Sequence, residues 1–121
     1  MNDEQQVWYD EASGVVFNSG KPASTVQAAR STLRAAARLM EGKPRRLLLV
    51  DLTGAPLSLD ADVRSALMEE SKSLRLDRQA FVVPNPVIRM LAKAIARVTG
   101  AAAKSAFFQT TDEAVAWLKE G

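Results

Sequence analysis

Strand-like and helix-like segments follow one another in this chain in the order β-β-α-β-α-β-α-β-α, and that order leaves few architectures open. Helices interleaved with single strands make successive strands parallel members of one sheet, with the helices packed on it. The expected fold is therefore α/β: a mixed, mostly parallel sheet flanked by helices and joined by right-handed crossovers. Ligands of such sheets bind beyond the carboxyl ends of the strands. The loops at that edge are the first candidates for a site.

Each segment is read from its own chemistry. Gln5 to Asp10 and Gly14 to Asn18 carry the aromatic pair Trp8-Tyr9 and the β-branched pair Val15-Val16, which favour strand. The short turn between them predicts an antiparallel hairpin. Ser24, with Gln27 three residues on, has the form of a capping box. Val26, Ala29, Leu33, Ala36, Ala37 and Met40 then share one helical face, and Gly42 and Pro44 end the helix. Within Arg46 to Leu52, the unbroken apolar run Leu47-Leu48-Leu49-Val50 has the pattern of a central strand covered on both faces.

A second helix is expected to start near Asp60, with Asp62 in its first turn and Val63, Ala66, Leu67 and Leu74 as its buried stripe. Gln79 to Val83 reads as the next strand. Pro84-Asn85-Pro86 marks a boundary: Asn85 can cap, and Pro86 sits where a missing backbone donor costs nothing. The third helix carries Val87, Ile88, Leu91, Ile95 and Val98 and ends at Gly100. Lys104 to Gln109 is the last strand, and Thr110 with Glu113 opens a final helix. The predicted core includes Val16, Leu33, Leu48, Val50, Leu67, Val82, Leu91, Ile95, Phe107 and Trp117.

With 121 residues the sequence fits one domain, 1–121, large enough to bury a core without cross-links. It contains no cysteine and no histidine. Disulfides, thiolate metal sites and thiol catalysis are thereby excluded, along with the commonest general base and transition-metal ligand. Neither a phosphate-loop nor a Gly-x-Gly-x-x-Gly pattern occurs. These features lead to the expectation of a non-enzymatic protein with no catalytic residues, metal or cofactor. Residues 1–6 are polar and acidic rather than basic then apolar, and no apolar run reaches the roughly 20 residues a membrane span needs. A cytoplasmic protein without membrane contact is expected. A net charge of +2 is too small to argue for a polyanionic partner.

The layout resembles the SpoIIAA-like fold of the STAS domains, found in bacterial anti-sigma-factor antagonists and in small stand-alone STAS-like proteins. The resemblance is carried by Leu47-Leu48-Leu49-Val50-Asp51-Leu52-Thr53-Gly54, by Phe81-Val82-Val83-Pro84-Asn85-Pro86 and by Thr111-Asp112-Glu113-Ala114-Val115-Ala116-Trp117-Leu118. It implies a four- or five-stranded mixed sheet and a role in binding rather than catalysis. In the antagonists a phosphorylatable serine sits in an Asp-Ser-Ser-Gly turn after the central strand. This chain reads Pro56-Leu57-Ser58-Leu59-Asp60-Ala61 there. Asp60 and Asp62 would repel an added phosphate, and Ser58 is expected not to serve as a phosphoswitch.

At the carboxyl edge, Asp51, Thr53, Gly54, Asn85 and Arg89 are the ligand-binding candidates: hydrogen-bonding groups of a strand exit and a helix start. Turn and cap chemistry alone also selects Asp, Thr, Gly and Asn. Two cationic ladders, Arg30/Arg34/Arg38 and Arg89/Lys93/Arg97, recur at i, i+4, i+8 and invite either a partner or counter-charges from neighbouring helices. An aromatic content of 6% supplies no stacking platform for single-stranded nucleic acid, which is disfavoured as a partner. The expected function is a STAS-like regulatory or protein-interaction module, with a protein partner or a homodimer. The alternative is a small-ligand domain that holds a nucleotide, anion or lipid at the carboxyl edge.

Overall fold

A computed structural model describes residues 6–19, 25–51, 61–99 and 104–120 of the chain. Its strands are β1 (Gln6–Asp10), β2 (Val15–Ser19), β3 (Leu47–Asp51), β4 (Arg78–Val82) and β5 (Ser105–Phe108). Its helices are α1 (Val26–Met40), α2 (Ala61–Leu74), α3 (Pro86–Thr99) and α4 (Thr111–Glu120). The elements alternate as the sequence pattern predicts, and the strands lie in the sheet in chain order, β1-β2-β3-β4-β5. β1 and β2 form the antiparallel hairpin, and every later pair is parallel.

The hairpin turn closes with Gly14 at φ +74° and its N–H donating to the Asp10 carbonyl at 2.8 Å. The Asp10 carboxylate in turn accepts from the Ser13 hydroxyl at 2.6 Å and the Ser13 N–H at 3.2 Å. This is the local hydrogen bonding that makes Asp and Ser turn formers.

β3 is the central strand. Leu47 and Leu49 join Val15, Ala80 and Val82 beneath Ala114 and Leu118 of α4. Leu48 points the other way and packs with Val16 against Leu33, Ala36 and Met40 of α1 and Leu74 of α2. The continuous apolar run exists because each alternate residue meets a different helix. Ala29, Val63 and Ala66 fill the α1–α2 contact, and their small side chains allow close approach.

Of the predicted core, Val16, Leu33, Leu48 and Val82 are buried. Val50, Phe107 and Trp117 are only half-buried. Phe107 stacks on Phe81 (centroids 5.0 Å apart) instead of entering a closed core, and Trp117 leans on Phe108 at the flank of α4. The side chains of Leu67, Leu91 and Ile95 lie outside the described residues.

The helix boundaries are set by caps. α1 is capped by Thr25, whose hydroxyl oxygen accepts the Ala28 N–H at 3.0 Å. The cap thus falls one residue after the predicted Ser24, and Ser24 itself is outside the described residues. Asn85 caps α3 as expected, accepting the Val87 N–H at 2.8 Å. Thr110 accepts the Glu113 N–H at 3.3 Å, while the Glu113 carboxylate receives the Thr110 hydroxyl at 3.1 Å. α2 ends differently. Its next residue, Arg75, takes the left-handed conformation at φ 51° without being glycine.

Candidate functional site

The parallel strands bring three of the five sequence candidates to one edge. Asp51 is the last residue of β3 and pairs in register with Val82, so it lies beside the β4 exit that leads to Asn85. Asn85 caps α3. One turn into that helix, the Arg89 guanidinium turns back and donates to the Val83 carbonyl at 3.2 Å. The Val83 N–H is taken by Phe108, at 2.8 Å. Asn85 and Arg89 therefore hold the strand-to-helix corner together. Thr53, Gly54, Ser58 and Asp60 fall outside the described residues.

The two cationic ladders differ in fate. On α1, Arg30 lies 3.7 Å from Glu69 and 3.9 Å from Glu70, and Arg34 lies 3.4 Å from Glu70. The counter-charges come from α2. On α3, Arg89 serves the corner just described, whereas Lys93 and Arg97 are exposed and form no ion pair among the described residues. The same helix exposes two large apolar side chains, Val87 at 56% and Met90 at 71%. Val87, Met90, Ala94 and Arg97 follow the i, i+3, i+7, i+10 spacing of one helical stripe.

A second surface was not legible in the sequence. α4 lies over β3, β4 and β5. A helix is about 10 Å wide and five strands span about 19 Å, so a helix placed over β3, β4 and β5 leaves the β1–β2 side of that face open. Trp8, 40% exposed, stacks on Phe17 there (centroids 5.3 Å apart, planes 13° apart). A groove of about 470 Å³ runs between the hairpin and α4, past Phe17, Val115 and Ala116, from Asp112 at one end to Ser13 and Lys119 at the other. Around Ser13 and Lys119 it meets a second cavity of about 270 Å³, lined also by Tyr9, Gly14 and Arg45. These residues come from three separated stretches of chain, and no spacing rule links them.

Among the described residues, no group of three or more Asp, Glu, Cys or His side chains could hold a metal ion, and no helix is long and apolar enough to cross a membrane. Residues 8–121 match the model of a family described as a domain of unknown function (DUF7793), and the chain belongs to that family. No curated protein and no solved structure matches it.

Proposed function

We propose that this DUF7793 chain is a non-enzymatic, STAS-like protein-interaction module of the bacterial cytoplasm, and that α3 is its contact face. The observation that carries the reading is the exposure of Val87 and Met90 on a helix whose remaining exposed charges, Lys93 and Arg97, are all cationic. An unbranched, polarisable Met at the centre of such a stripe adapts to the shape of a partner. The complementary surface is apolar with an acidic rim, and a second copy of the chain is one candidate for it.

The alternative, a small-ligand site at the carboxyl edge, draws less support. The Arg89 guanidinium donates to Val83, and the Asn85 side chain caps α3. Both act there as structural groups.

A photo-crosslinking residue placed at position 90 and expressed in the native host tests the reading. Discrete protein adducts are expected from position 90, and none from the exposed position 72 on α2. Val87→Asp together with Met90→Asp should abolish partner binding while the Tm stays within a few degrees. Equal labelling from both positions, or unchanged binding by the double variant, would refute α3 as the contact face.

A further inference from the structure

The corner where the groove along α4 meets the amino edge of the sheet gathers cations that the fold itself does not use. Two neighbouring arginines do serve helix ends. Arg46 donates to the Leu74 carbonyl at the end of α2 (2.5 Å), and Arg78 donates to the Trp117 carbonyl in the last turn of α4 (2.7 Å) while lying over the Trp117 ring. Arg45 and Lys119 line the cavity and have no ion pair or hydrogen bond among the described residues. Lys43 adds a third positive charge nearby, its ammonium 4.3 Å from the centre of the Tyr9 ring.

The cavity also holds an uncommitted hydroxyl. Tyr9 has no hydrogen-bond partner among the described residues, and its oxygen lies 3.8 Å from where a Cβ on Gly14 would stand. Glycine suits the hairpin tip because of its φ of +74°. Ser13 is different: its hydroxyl and N–H are both spent on Asp10. That pairing also engages the one carboxylate lining this end of the groove. Among the residues lining the cavity, Arg45, Lys119 and Tyr9 are therefore the ones with uncommitted side-chain donors, a set suited to an oxyanion. From this corner the groove continues over Phe17, Val115 and Ala116. α4 has 10 residues and spans about 15 Å, which gives the apolar limb its length.

We infer that this corner and groove form a binding site for a single-chain amphiphile with an anionic head group, the head held by Arg45, Lys119 and Tyr9 and the chain lying along Phe17, Val115 and Ala116. The site is separate from the α3 face, and neither proposal requires the other.

The test is an NMR titration of the full chain, following backbone amides, with decyl phosphate, decanoate, inorganic phosphate and decyltrimethylammonium, each below its micelle concentration. Decyl phosphate should shift Ser13, Gly14, Leu47 and the amides of residues 115–119 saturably, and decanoate should shift the same set. Inorganic phosphate should move only the corner residues, with at least tenfold weaker affinity, and the cationic amphiphile should bind at least tenfold more weakly than decyl phosphate. Arg45→Gln with Lys119→Gln should weaken decyl phosphate binding tenfold or more without changing the Tm. Ala116→Asp, on the exposed side of α4, should weaken decyl phosphate but leave inorganic phosphate as it was. Tyr9→Phe should lower head-group affinity alone. Three results would each overturn the proposal: no saturable shift at these amides, equal affinity for the anionic and cationic amphiphiles, or equal affinity for inorganic and decyl phosphate.

Discussion

Arg46 and Asp77 close the amino edge of the sheet by a reciprocal pair of hydrogen bonds. The Arg46 N–H donates to the Asp77 carboxylate at 2.8 Å, and the Asp77 N–H donates to the Arg46 carbonyl at 2.8 Å. Arg46 also reaches Leu74 with its guanidinium. The starts of β3 and β4 and the end of α2 are thereby fixed to one another. The connection from α2 into β4 is anchored beside the start of β3, where the parallel pairing of Leu47 with Arg78 begins.

Asp77→Ala leaves the Arg46 N–H to solvent at an exposed position. The loss of stability should be about 0.5–1.5 kcal/mol, the net worth of one such bond. Thermal unfolding should show a Tm lower by about 3–5 °C for each kcal/mol in a domain of this size. Asp77→Asn keeps an acceptor oxygen and should recover most of the loss. If Asp77→Asn proves as damaging as Asp77→Ala, the carboxylate charge matters and not the hydrogen bond.

The pairing of α1 with α2 gives the second prediction. Arg34 and Glu70 approach to 3.4 Å, but the Arg34 side chain is 62% exposed. An exposed pair of this kind contributes about 0.2–1 kcal/mol and weakens in salt. A double-mutant cycle with Arg34→Ala and Glu70→Ala should return a coupling in that range at low ionic strength and close to zero at 1 M NaCl. Coupling that persists in high salt would show a pair shielded from solvent.

The sequence made the order of elements, the central position of β3 and the two side-chain caps at Asn85 and Thr110 readable, because each depends on residues adjacent in the chain. A period-2 or period-3.6 pattern, or an Asn before a Pro, acts over a few residues. The half-burial of Phe107 and Trp117 was not readable in this way. Both lie at the margins of the layers, and whether a margin is covered depends on how many helices fit across the sheet. The same holds for the candidate sites. Asn85 and Arg89 stood out by sequence because they flank a helix start, and they serve that helix start. The basic corner draws Tyr9, Arg45 and Lys119 from the hairpin, the α1–β3 loop and the last helix, and only the folded chain brings them together.

Arg75 follows the last residue of α2 at φ 51°. A residue other than glycine in this left-handed position carries a steric cost that glycine lacks. Arg75→Gly should raise stability by up to about 1 kcal/mol, readable in the urea midpoint with an unchanged m-value. Arg75→Ala keeps the Cβ and should give no such gain. A gain from alanine equal to that from glycine would assign the effect to removal of the arginine charge.

Asn18 is 5% exposed, the sole buried polar side chain among the described residues, and its Oδ1 has no hydrogen-bond partner there. In the sheet it stands between Val7 of β1 and Val50 of β3, so its lateral neighbours on both sides are β-branched and apolar. A buried acceptor left unmatched costs about 1–3 kcal/mol, whereas valine suits a strand interior and adds only apolar surface. Asn18→Val should therefore stabilise the fold by about 1 kcal/mol or more, raising the Tm by several degrees. Asn18→Asp, which buries a charge at the same place, should lower it sharply. A loss of stability in Asn18→Val would mean that Oδ1 accepts a hydrogen bond worth more than its burial costs.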